Sequence, residues 1–331
     1  MPVIISLAVV IKEKVWGLSE IIRSFHDLAL EYFYQGHYDA AEQLFLKALR
    51  IREQALGLEH PDVADILYNL AQLYRVLGRY TEAEAKFLRS LAIREKTLSP
   101  DHLLVVACLN NLALVYQNQG RYDEAEPHLL RVLRIQEHAL GSYHPQVVTS
   151  LNKLAWVYQN QGRYSEGEPH ILRALSICEH TLGSTHPHVA TSFNNLAGLY
   201  QAQGRYVEAE NYYLKALAIR QHASGLDHPG MAISLNGLAF LYQNLGRYEE
   251  AEPLMLRVLM ICEDVLGSNH PHIATSLKNL ATLCKAQGRN DEAETYLLRA
   301  LTIRENTSPL IDSDVHYQPL CSVAVYRDED C

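Results

Sequence analysis

Nothing in the sequence marks a membrane span, a disulfide scaffold or a catalytic centre. The N-terminal run VIISLAVVI, Val3–Ile11, has nine residues. That is too short to cross a bilayer, and no basic segment precedes it as in a secretory signal. No membrane insertion is expected. Six cysteines occur, Cys108, Cys178, Cys262, Cys284, Cys321 and Cys331, with no CxxC pair among them. A disulfide framework is therefore not expected, and a reducing, cytoplasmic setting fits better. There is no phosphate-binding GxxxxGK[ST], no GxGxxG following a strand and no GxSxG, so neither an enzyme activity nor a cofactor is expected. Basic clustering is missing too. The net charge is −9 with acids and bases interleaved, whereas a nucleic-acid partner needs a concentrated basic surface.

What the chain does contain is repetition. Gly36, Gly78, Gly120, Gly162, Gly204, Gly246 and Gly288 stand 42 residues apart, and Arg-Tyr follows five of them. A second marker keeps the same beat: His60, His102, His144, His186, His228 and His270, each followed by proline except His102. Seven copies without an insertion predict one supersecondary unit stacked on its neighbours.

Each copy reads as two helices. Leu109, Leu112, Ala113 and Tyr116 form one apolar stripe at helical period, and Gly120 ends that helix. Ala125, Leu129, Val132 and Leu133 form the stripe of the second, which Gly141 closes. Pro145 sits where the next first helix begins, a position where a missing N–H costs nothing. Pro127, Pro169 and Pro253 are expected near the first turn of second helices. Small residues recur where helices approach: Ala29 to Ala281 in the first helices, Ala41 to Ala293 in the second, the latter column broken by Gly167. Cys178 and Cys262 share one phase of the second helix and are expected as buried filler.

This is the tetratricopeptide pattern, lengthened from its usual period of about 34. The phrases LNNLALVYQNQGRYDEAEP (Leu109–Pro127), IREKTL (Ile93–Leu98) and HPDVA (His60–Ala64) resemble the repeat domain of kinesin light chains over nearly the whole chain. The resemblance implies an all-α, right-handed superhelical solenoid of stacked helix pairs. It also implies a non-enzymatic adaptor that takes extended peptides in a concave groove. Its implied partners are peptides, with kinesin heavy chain and cargo adaptors among them, and its implied location is cytoplasmic and cytoskeleton-associated. Scaffolds and sensor arms of signalling proteins carry similar long repeats, so a motor-free scaffold or sensor module is the alternative. Residues 22–304 are expected to hold seven repeats. VIKEKVWG (Val10–Gly17) aligns with RIREQALG (Arg50–Gly57), so residues 1–21 are expected to form a degenerate capping helix; residues 305–331 are expected to be a poorly ordered tail.

Opposite the core stripe of the first helices, three columns are neither dull nor uniformly charged. One reads Asp27, Asn69, Asn111, Lys153, Asn195, Gly237, Asn279; another includes Asn118, Asn160 and Asn244; a third includes Trp156 and Phe240. An asparagine amide carries donors and an acceptor together. It can hold the C=O and N–H of an extended backbone without reading its sequence. In similar peptide-binding domains, asparagines at the position of Asn69, Asn111, Asn195 and Asn279 act as such clamps. Lys153 adds a cation, and Trp156 and Phe240 are expected as pocket walls. The alternative is that these amides only bridge neighbouring first helices. Metal binding is not expected, because the loop histidines lie one repeat apart, too far to share an ion with ligands near about 2 Å.

Overall fold

A computed structural model of the chain describes residues 25–224 and 229–306. These residues form fourteen helices and no strand. They are α1 (25–34), α2 (Tyr38–Leu56), α3 (Pro61–Val76), α4 (Tyr80–Thr97), α5 (Leu103–Asn118), α6 (Tyr122–Leu140) and α7 (Pro145–Asn160), followed by α8 (Tyr164–Leu182), α9 (Pro187–Ala202), α10 (Tyr206–Ser224), α11 (Pro229–Asn244), α12 (Tyr248–Leu266), α13 (Pro271–Ala286) and α14 (Asn290–Asn306). Odd-numbered helices are the first of each pair and even-numbered ones the second. The expected capping segment lies outside the described residues. So does the expected tail, apart from Glu305 and Asn306, which complete the last turns of α14.

The chain divides into two compact units, residues 1–135 and 136–331, with the boundary inside α6. In the first unit, α3 packs chiefly on α4, and α4 on α5; α3 also touches α5. In the second, α7 pairs with α8, α9 with α10, α11 with α12 and α13 with α14, while α9 lies against both α7 and α11. These are the tetratricopeptide-like helix pairs, and they exist because one amphipathic pair leaves an apolar face that only another pair can cover.

The loop histidines turn out to be helix starters. His60, His102, His144, His186 and His270 occupy the N-cap in extended backbone, and each Nδ1 accepts the N–H two residues on, at 3.1–3.3 Å. Each satisfies one of the amides that a helix start leaves unpaired. At the other end Gly120 turns left-handed, φ 72°. That lets the N–H of Arg121 fold back onto the carbonyl of Tyr116 at 2.9 Å. Pro127, Pro169 and Pro253 lie inside their helices, each the sixth residue, one turn deeper than expected. Each proline withholds the N–H that the carbonyl four residues back would have received.

The small-residue columns are buried as their spacing requires. Ala29, Ala71 and Ala113 in the first unit, and Ala197 and Ala239 in the second, have no exposed surface. Phe45, Phe87, Leu67, Leu70 and Leu112 fill the first unit, and Leu151, Leu196, Leu199, Leu241 and Leu277 fill the second. Cys178 and Cys262 are buried, and neither forms a disulfide among the described residues.

Candidate functional site

The Gly-Arg-Tyr signature builds a bracket between successive pairs. Tyr116, at the end of α5, donates its hydroxyl to Glu84 of α4 at 3.0 Å. Arg121 lies over the Tyr116 ring, 4.5 Å from its centroid, and bonds the same Glu84 at 2.6 Å. Tyr74, Arg79 and Glu42 repeat this in the first unit; Tyr200, Arg205 and Glu168, and Tyr242, Arg247 and Glu210, repeat it in the second. Burial first, and then the Glu84 bond, push the Tyr116 phenol up to about 12. This column serves stacking, and it leaves the opposite face of the first helices for other work.

On that opposite face the two units differ. In the first, Asn69 of α3 donates to the imidazole Nε2 of His26 in α1 at 2.8 Å. Asn111 of α5 donates to the Tyr68 hydroxyl in α3 at 2.9 Å, and to its own helix at Ala107 O, also 2.9 Å. Both amides therefore tie one first helix to the next. In the second unit, Asn195 of α9 and Asn279 of α13 are half-buried and make no side-chain hydrogen bond among the described residues. Lys153, Trp156 and Phe240 are half-buried on α7 and α11. Asn118, Asn160 and Asn244 are the last residues of α5, α7 and α11, and Asn160 donates back to Trp156 O at 2.7 Å. That third asparagine column thus sits at helix ends, away from the middle of the face.

Gly237 interrupts the clamp column for a physical reason. Tyr213, on α10, reaches from the core into the place where a side chain would stand: its Cζ lies 2.7 Å from an ideal Cβ on Gly237. The Tyr213 hydroxyl donates to Gln201 at 3.2 Å, and burial raises its pKa. Gly198, on α9, is different. Only the Tyr213 hydroxyl, at 3.8 Å, comes within 4 Å of its Cβ position.

The column one residue earlier was not singled out by the sequence reading. Asn152, Asn194 and Asn236 are buried between helices of the second unit. Its signal is nonetheless present, since asparagine repeats there in four consecutive copies, Asn110 to Asn236. A column of the second helices was likewise missed as a set: Arg52, Arg94, Gln136, Cys178, Arg220 and Cys262. Here Arg52 pairs with Asp62 at 2.6 Å and Arg94 with Asp65 at 2.9 Å.

A family model described as tetratricopeptide repeat matches residues 20–96, 62–117, 105–166, 157–222 and 230–306. The chain belongs to the tetratricopeptide repeat family. Among solved structures, the nearly identical TPR-like repeats of a candidate kinesin light chain from Podosopora anserina are 33% identical. They cover 63% of this chain and 99% of that one, with a TM-score of 0.52. BtubC (BKLC) from P. vanneervenii is 26% identical over 67% of this chain and 90% of its own, TM-score 0.55. A tetratricopeptide repeat protein from Parabacteroides merdae, at 18% identity, covers 87% of this repeat chain and 95% of its own with a TM-score of 0.61, a likeness of fold. No curated protein matches this repeat chain significantly. Among the described residues, no helix is long and apolar enough to cross a membrane, and no group of three or more His, Cys, Asp or Glu could hold a metal ion.

Proposed function

We propose that this chain is a non-enzymatic interaction module whose first-helix face in the second unit holds an extended peptide. The observation that carries the reading is the contrast between the units. Asn69 and Asn111 spend their donors on neighbouring helices, whereas Asn195 and Asn279 stand half-buried with donors and acceptors unspent. A half-buried amide without a partner is costly by about 1–3 kcal/mol once a ligand excludes water from it, unless that ligand bonds it. A peptide main chain supplies the matching pair of groups. Lys153, Trp156 and Phe240 stand on the same face to meet its side chains. Asn69, Asn111, Asn118, Asn160 and Asn244 take peripheral parts, by holding helices or helix ends in place.

The finer reading is a motor-accessory role like that of kinesin light chains, with cargo adaptors and a motor heavy chain as partners. Its support is the resemblance of the repeat phrases together with 33% identity to the Podosopora anserina repeats. An affinity pull-down from the source lysate tests both levels, with the intact chain set against an Asn195→Ala, Asn279→Ala double variant. Partners lost from the variant, at an unchanged melting temperature, support the peptide face. A motor heavy chain or its adaptors among them supports the motor role, and partners without any motor leave an interaction scaffold. Partners identical for both chains overturn the peptide face.

A further inference from the structure

Among the described residues, Arg220 is a guanidinium buried without a counter-charge. It is 6% exposed, its Nη1 has no hydrogen-bond partner, and its Nη2 bonds only the Thr191 hydroxyl, at 3.2 Å. Burial lowers its pKa to about 10. Among the described residues no carboxylate comes within ion-pair distance of it. Arg94, one seat of the same column in the first unit, shows what is missing. It places Nη2 on Asp65, 29 residues back, just as Arg220 places Nη2 on Thr191, also 29 residues back. The two arginines are held alike; one faces an acid and the other a neutral hydroxyl.

The register carries the comparison further. Arg94 lies over the Tyr68 ring, 4.7 Å from its centroid, and its Nη1 touches Cys108 Sγ at 3.3 Å. The equivalents of Tyr68 and Cys108 around Arg220 are Asn194 and Ser234, each 126 residues on. Both amide atoms of Asn194, which is 8% exposed, lack a partner, and so does the hydroxyl of fully buried Ser234. Replacing a tyrosine by an asparagine also removes most of a ring from the space between α9, α10 and α11. By register, three buried polar groups, one of them charged, thus take the seats that the first unit fills with a tyrosine ring, a thiol and an aspartate-paired guanidinium. Native interiors rarely leave such groups unpaired.

Gly198 lies one helical turn from Asn194. A helical side chain covers the turn N-terminal to its own Cα. Residue 198 would cover the turn bearing Asn194, and it is a glycine whose Cβ position would meet only the Tyr213 hydroxyl within 4 Å, in an ordinary contact at 3.8 Å. A glycine inside a helix costs about 1 kcal/mol against alanine, and no packing at Gly198 requires one. Trp156 and Phe240 hold the equivalent position on the flanking first helices α7 and α11.

We propose that Arg220, Asn194 and Ser234 form an internal seat for one carboxylate, reached from the first-helix face past Gly198, where no side chain stands in the way. The carboxylate accepts from Arg220 Nη1, Asn194 Nδ2 and the Ser234 hydroxyl, and supplies the charge that Asp65 supplies to Arg94. Two sources offer this chemistry: a small free carboxylate ion, or the acidic side chain of a bound peptide. The second rests on the peptide-face reading; the first does not.

Thermal melting at constant ionic strength, with sodium acetate replacing sodium fluoride, tests the seat. The wild-type melting temperature is expected to rise and then saturate with acetate, as ligand binding to the folded state requires. Arg220→Gln copies Gln136, whose amide oxygen accepts the Ser150 hydroxyl at 2.6 Å in this same register. Thr191→Asp copies Asp65. Both variants are expected to lose the acetate response, Thr191→Asp with a higher melting temperature in fluoride, and Asn194→Ala to weaken apparent acetate affinity about tenfold. Equal acetate responses in wild type and Arg220→Gln, or none in wild type, overturn the free-ion seat. A random peptide display library then separates the sources. Acidic peptides enriched on wild type, lost on both Arg220→Gln and Gly198→Leu and displaced by acetate, support a peptide carboxylate in the seat. Peptides retained by Arg220→Gln but lost on the Asn195→Ala, Asn279→Ala chain overturn the peptide source and keep the face. Peptides indifferent to all these variants overturn both the peptide source and the face.

Discussion

Gly237 lacks a side chain because Tyr213 has a large one. In the neighbouring copies the seat of Tyr213 holds Ile171 and Met255, and the seat of Gly237 holds Asn195 and Asn279. The tyrosine ring fills the space an asparagine Cβ would need. Gly237→Asn is therefore expected to destabilise by about 2 kcal/mol through overpacking, read as a lower urea midpoint. Adding Tyr213→Met should recover most of the loss, since the side chain that stands in the next copy is shorter and more pliable. No reading of one column alone finds this pair, because the two residues belong to different helices and different stripes.

Helix ends carry the regularities that the sequence shows most loudly. Gly-Arg-Tyr and His-Pro were legible as punctuation, but their chemistry was not. The histidine is an N-cap through Nδ1, and the arginine lies on the tyrosine of the preceding helix while gripping a glutamate of the preceding pair. His144→Ala should cost about 1 kcal/mol, the usual worth of a side-chain cap; chemical denaturation measures it. Tyr116→Phe removes only the hydroxyl that reaches Glu84 and should likewise cost about 1 kcal/mol. Its ring, still beneath Arg121, keeps the cation–π contact, so a Tyr116→Leu variant should lose more. If both substitutions cost the same, the ring contact contributes nothing to the bracket.

Across the described residues, half-buried imidazoles shape the response to acid. His26, His128, His170, His186 and His272 are all held below their ordinary value, in each case first by burial. Arg131 beside His128 and Arg173 beside His170 push the same way. The unfolded chain thus binds more protons than the folded one once the pH drops below about 6.5. Stability from these groups is complete above that value and is lost as the pH falls through the lower folded-state values. Melting temperatures measured from pH 7.5 down to pH 5 should fall, with the decline beginning near pH 6.5. Replacing His128 and His170 by leucine, which stands at that seat as Leu44 and Leu254, should flatten the decline. A profile unchanged by these replacements would remove the two histidines from the account.

The period of 42, the two stripes in each copy and the glycines between them settled the helix pairs before any coordinates, because local backbone preferences and a repeated apolar face act within one copy. What the asparagines do could not be read that way. Asn69 and Asn195 occupy one column and look identical in sequence, yet the first bonds His26 and the second has no side-chain partner among the described residues. Opposite Asn69 stands His26, and opposite Asn195 stands Asn152, each 43 residues back. A hydrogen bond belongs to two residues at once, and its second member comes from another copy of the repeat. The same holds for Arg220, whose charge is ordinary in sequence and meets a neutral hydroxyl only once Thr191, and not an aspartate, is folded against it.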